Sequence, residues 1–156
     1  MANSKCDAIM ERGLLKIIHT SGRNESNCQC PTCKNQCRTP CLGTPDDILA
    51  LVEAGYRAKL MPTQWCVGMV LGKLGYPITM IQAIQGADGW CVFRTSDGLC
   101  ELHNTGLKPT EGKLSHHTIT DENFDFFKGL SYNVAKEWIV EDNIPVIEKI
   151  VELYAE

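Results

Sequence analysis

Apolar side chains recur at helical spacing in four stretches of the chain, and the pattern fails between them. Ile9, Met10, Leu14, Ile17 and Ile18 predict an amphipathic helix over residues 5 to 20, stopped by Ser21-Gly22. A second helix follows Gly43, with Ile48, Leu49, Leu51 and Val52 as its apolar face. Its start is spelled out residue by residue: Thr44 as N-cap, Pro45 as the first helical residue, and Asp46 and Asp47 in the first turn. Gly55 is suited to close it. Thr120-Asp-Glu-Asn123 predicts a third helix running through Phe124, Phe127, Val134 and Trp138, with a kink at Gly129. A fourth opens at Asp142-Asn-Ile-Pro145 and carries Val146, Ile147, Ile150, Val151 and Leu153 on one side.

Between residues 57 and 104 glycine and proline punctuate short apolar runs. Strands are expected at Cys66 to Leu71, Ile78 to Gln85, Trp90 to Arg94 and Leu99 to Leu102. The turn Thr95-Ser-Asp97-Gly98 joins the last two as a hairpin. Residues 106 to 118 read as a loop. The expected fold is therefore α+β: a small helical domain with a short antiparallel sheet or hairpin and a cysteine-rich loop, in one domain spanning residues 1 to 156.

That loop is the place where no apolar pattern exists at all. Cys28-Gln-Cys30-Pro-Thr-Cys33-Lys-Asn-Gln-Cys37-Arg-Thr-Pro-Cys41 sets five thiols at C-x-C-x2-C-x3-C-x3-C spacing. Burial of side chains cannot order such a stretch. Thiolates around a soft or borderline cation can, because short spacers let several sulfurs reach one ion. A second group stands on the expected hairpin as Cys91-x8-Cys100-x2-His103, followed by the pair His116-His117. Each group alone misses a multiple of the four ligands of a closed zinc site. Five loop thiols, two hairpin thiols, His103 and one of the paired histidines, preferably His116, supply two sites or one shared cluster. Sharing would tie metal binding to folding of the whole domain across the long connection between Cys41 and Cys91. The plainer alternatives are buried strand cysteines for Cys91 and Cys100 and a solvated pair for the histidines. His19 suits a helix C-terminus without any ligand role, and Cys6 a half-buried thiol.

Composition narrows the partners. A net charge of −4 over 156 residues gives no global field for nucleic acid, although Lys34 and Arg38 lie within the cysteine run. No apolar stretch approaches the ~20 residues of a membrane span. Residues 1 to 6 lack an apolar signal region, so a cytoplasmic setting is expected. There, nine cysteines, an odd number, favour metal ligation over disulfides.

Residues 28 to 117 resemble the YkgJ-like cysteine-cluster family of zinc- or iron-chelating domains. The five loop thiols stand for its first cysteine block and Thr44-Pro-Asp-Asp47-Ile for its helix start. Gly89-Trp-Cys91-Val-Phe93 and Gly98-Leu-Cys100-Glu-Leu-His103 stand for its hairpin, and Lys108-Pro109 for its K/R-P pair. Two departures mark this chain. The family's adjacent Cys-Cys pair is opened to x3 spacing, and its closing cysteine is replaced by Lys113-Leu-Ser-His116-His117, where a histidine would take over. The resemblance implies a metal, zinc or iron, and no reaction, while the surplus and close spacing of the thiols keep an iron–sulfur cluster as an alternative.

Other chemistry is sparse. The chain has no phosphate loop, dinucleotide fingerprint or G-x-S-x-G. Asp121, Glu122 and Asp125 suit helix capping, and Trp65 and Trp90 suit the core more than a pocket wall. Three functions stay open: a domain built on structural zinc, a metal-dependent or iron–sulfur redox enzyme, and a metal carrier or sensor. Whether the protein is an enzyme stays open with them.

Overall fold

The computed structural model describes residues 14–22, 25, 41–102, 105–114 and 125–155. Residues 14–21 form helix α1, the described part of the first expected helix. Ile17 is buried, Leu14 and Ile18 pack on the core, and Gly22, at φ +72°, donates its N–H to Ile18 O where the chain leaves the helix.

Helix α2, Pro45–Glu53, begins with the chemistry its sequence spells out. Asp47 N donates to Thr44 Oγ1 at 3.2 Å and Thr44 N donates to Asp47 Oδ2 at 2.9 Å, a reciprocal cap that satisfies two backbone donors. Ile48 and Leu51 are buried, with Leu49 and Val52 packed beside them. The helix ends at Ala54, and Gly55 follows at φ +96°. From there Gly55 N reaches Val52 O and Tyr56 N reaches Leu51 O, which serves carbonyls that the helix leaves without partners.

The sheet differs from expectation in three places. Strand β1 is Leu60–Trp65, and it pairs antiparallel with β2, Ile78–Ala83, from Leu60↔Ala83 to Trp65↔Ile78. The run Cys66 to Leu71, expected as a strand, instead holds the short helix α3, Val67–Val70. Its apolar residues Val67, Met69, Val70 and Leu71 stay exposed, so the run is a connector and not a buried strand. Pro62 is accommodated in β1 because each strand of a two-stranded sheet keeps an unpaired edge. The expected strands Trp90 to Arg94 and Leu99 to Leu102 are reduced to isolated bridges, Gln85↔Cys91 and Arg94↔Cys100. The reason is turn density. Gly89 at φ +84° closes one turn, where Gly86 N donates to Trp90 O, and Gly98 at φ +84° closes the next, where Thr95 N donates to Leu99 O. Between them a further turn, in which Arg94 N donates to Cys91 O at 2.9 Å, interrupts the run before it can pair as a strand.

Residues 110–114, expected as loop, form the short helix α4, Thr110–Leu114. A 3-10 turn at Phe126–Lys128 is capped by Asp125, whose side chain accepts from Phe127 N at 3.0 Å. Thr120 to Asn123, the expected cap, lies outside the described residues. At Gly129 the backbone is extended, so the expected kink is a break, and helix α5, Leu130–Lys136, starts beyond it. Helix α6, Ile144–Tyr154, carries Pro145 in its first turn as expected and buries Ile150, while Val151 faces solvent.

All these elements share one core. Ile17, Ile48, Leu51, Phe93, Leu102, Leu114, Val134 and Ile150 are almost wholly shielded, and α2 packs along α6. Lys16 and Glu137 form an ion pair at 3.3 Å that fastens α1 to the end of α5. Among the described residues no helix is long and apolar enough to cross a membrane.

Candidate metal centre

The four residues that lead into α2 are tied down on three sides. Leu42 is buried; its carbonyl accepts from Glu111 N at 3.0 Å, and its N–H points to Glu111 Oε1 at 3.4 Å. The Gly43 carbonyl accepts from Trp138 Nε1 at 2.8 Å. Thr44 is held by Asp47, whose Oδ2 also accepts from Thr110 N at 2.8 Å and Thr110 Oγ1 at 2.6 Å. A side chain at Gly43 would come within 3.0 Å of Asp47 Cβ and 3.3 Å of Pro109 Cβ, so glycine permits this close approach. One buried carboxylate thus joins the start of α2 to the start of α4, and the chain just before them is Cys41.

Cys41 lies against α4. A Cβ built at Gly112 would stand 2.8 Å from Cys41 Sγ and 3.1 and 3.2 Å from Cε and Cγ of Lys108. The missing side chain is the space the sulfur occupies. Glu111 is anchored beside it, its Oε2 accepting from the Ser131 hydroxyl at 2.8 Å.

Electrostatics identifies the other neighbours of this sulfur. Burial pushes the Cys41 thiol well up from its ordinary range. The charges of Glu111, Cys91 and Cys100 push in the same direction, and Lys108 opposes them. The two hairpin thiols are therefore within electrostatic reach of Cys41, although about fifty residues separate them along the chain. Cys91 is buried in the core and Cys100 is half-buried against it. A buried thiol among other thiols holds its proton until a cation takes the proton's place.

Of the expected ligands, Cys41, Cys91 and Cys100 lie among the described residues, with the two hairpin thiols in electrostatic reach of Cys41. Cys28, Cys30, Cys33, Cys37, His103 and His116 lie outside the described residues, as does His117. Among the described residues no group of three His, Cys, Asp or Glu side chains is drawn tightly enough to hold a metal ion unaided. Thiols are soft donors that suit zinc or iron better than a hard cation. Cys66 is exposed, apart from this group, with its sulfur 3.5 Å from Gln64 O. Trp65 is a core residue stacked on Phe126, and half-buried Trp90 carries the Arg94 guanidinium 3.8 Å above its ring.

Glu111 and Gly112 escape a reading of the sequence, which takes this stretch as an unremarked loop. A glycine inside a five-residue helix costs about 1 kcal/mol against alanine, and that is the one signal the sequence carries. Comparison with family models, with curated proteins and with solved structures finds no match for this chain.

Proposed function

We propose that this protein binds a transition metal, zinc in the first instance, through thiolates contributed by both the amino-terminal cysteine loop and the hairpin. The observation that supports this reading is that the Cys91 and Cys100 thiols of the hairpin lie within electrostatic reach of Cys41. Cys41 is the last thiol of the loop, and its position is enforced by the hydrogen bonds of Leu42, Gly43 and Thr44. A ligand set drawn from both ends of the described core makes metal uptake part of folding. The similarity to the YkgJ-like cysteine-cluster family points the same way. His103 and His116 complete the proposed set together with Cys28, Cys30, Cys33 and Cys37.

The test is elemental analysis and an absorption spectrum of anaerobically purified protein, beside Cys41→Ser and Cys100→Ser. Colourless protein containing zinc, with metal lost in both variants, is the expected result. Brown protein replaces zinc with an iron–sulfur centre. Full metal retention in both variants, or no metal in the parent, sinks the shared centre.

A further inference from the structure

We propose that the exposed apolar face formed by α3 and the turn at Phe126–Lys128 is a self-association surface, on which a second copy of this chain docks about a twofold axis. In that arrangement Val70 of each copy enters the hollow beside Phe127 of the other, and Lys73 of each faces Asp125 of the other. None of these residues belongs to the proposed metal ligands, so the dimer does not depend on metal binding.

The face is continuous and held in shape. Val67, Met69, Val70 and Leu71 are exposed along one short segment, Val70 at 82%, and Phe127 is exposed at 51%. Leu71 and Phe127 line one open hollow of about 450 Å³ with Phe126, Lys73 and Asp125, so the two elements form one apolar patch and not scattered single residues. Gly68 leaves room for Leu74, whose Cδ1 would stand 2.6 Å from a Cβ there, and Lys73 N and Leu74 N donate to Gly68 O at 2.8 and 3.0 Å. Phe127 is fixed edge-on against Phe126 and Tyr132, with ring centroids 5.2 and 5.5 Å apart. A surface already ordered in this way loses little side-chain freedom on docking.

What the face carries selects a second copy over other partners. It presents both a knob, Val70, and a hollow, and both a cation, Lys73, and an anion, Asp125. Both charged residues are exposed and make no ion pair among the described residues. Asp125 uses Oδ1 to accept from Phe127 N at 3.0 Å, which sets its carboxylate beside the hollow. A twofold axis brings each of these features against its complement, because the same patch then serves both sides. An anionic lipid surface would be repelled by Asp125, and the net charge of −4 gives the chain no general pull toward one. In the dimer, apolar burial supplies affinity and the two charge pairs fix orientation.

The test is the mass of the full chain by analytical ultracentrifugation, in reducing buffer so that the exposed Cys66 does not link copies by a disulfide. A shift from one chain to two between about 1 µM and about 1 mM is expected, the weak end of affinity for a small patch. Val70→Asp changes a side chain the fold does not bury and should leave one chain throughout that range. Lys73→Met removes the cation, and Asp125→Asn removes the anion while keeping an oxygen to cap the turn. Each should weaken the dimer about threefold or more, and the double variant no further than either alone, because the two charges act as one pair. A single chain at every concentration overturns the proposal, and its binding to anionic-lipid vesicles would assign the face to a membrane instead. A dimer that survives Val70→Asp uses another surface and overturns the proposal equally. Unchanged affinity in both charge variants, or losses that multiply in the double variant, rules out the twofold pairing.

Discussion

The Trp138 indole donates its N–H to the Gly43 carbonyl at 2.8 Å across 95 residues of chain, and both groups are buried. This bond closes the carboxyl-terminal helices onto the segment that ends the cysteine loop. Trp138→Phe keeps most of the ring and leaves the carbonyl without its donor. The expected loss is about 1–3 kcal/mol in urea denaturation, the usual cost of an orphaned buried acceptor. An unchanged midpoint would show that this bond contributes nothing.

Asp46 should make the protein less stable as the pH rises from acid toward neutral. Its carboxyl is held above the ordinary value of 3.8, first by burial and then by the charges of Asp47 and Glu137. The folded chain therefore binds this proton more tightly than the unfolded chain. The resulting stabilisation is complete below the unfolded value and disappears as the pH rises through the raised folded value. Asp46→Asn fixes the uncharged state, so its urea midpoint should exceed that of the parent at pH 7. The gap should shrink as the pH falls toward 4, where the parent is protonated as well. A constant gap would assign the effect to something other than ionisation.

Gly112→Ala separates metal binding from folding. The new Cβ would sit 2.8 Å from Cys41 Sγ, closer than real Cβ atoms come, so the sulfur must shift. Alanine favours a helix by about 1 kcal/mol over glycine, which offsets part of the crowding. Stability of the metal-free protein should change by no more than about 1 kcal/mol. Zinc affinity should fall at least severalfold, since ligand geometry at Cys41 is disturbed. Unchanged affinity would remove Cys41 from the donor set.

Thiol alkylation should follow exposure. Cys66 is exposed, while Cys91 is buried and Cys41 is half-buried with its thiol pushed up by burial. Limited treatment of the native protein with iodoacetamide should therefore label Cys66 well before Cys41 or Cys91, as read by peptide mass mapping. Labelling of Cys41 ahead of Cys66 would contradict the packing against α4.

The start of α2 was legible because its chemistry is local. Thr44, Pro45 and Asp47 act on backbone groups within three residues of themselves, and Gly55 relieves a strained conformation at its own position. The thiol loop suggests metal binding through spacing and lack of apolar residues, which are properties of the sequence itself, and up to Cys41 it lies outside the described residues. Of the expected strands, Ile78 to Gln85 appears as β2, Ile78–Ala83, and the others were not legible. The run Val67–Val70 has the composition of a strand, but β1 lies before it, because pairing with Ile78–Ala83 decides which residues become sheet. The site divides in the same way. Sequence spacing suggested Cys41, Cys91 and Cys100 as ligands. The place of Cys41 depends on Asp47 reaching Thr110, Trp138 reaching Gly43, and Gly112 leaving room for a sulfur. These are relations between residues 63 to 95 positions apart, made by tertiary packing, and no local pattern encodes them.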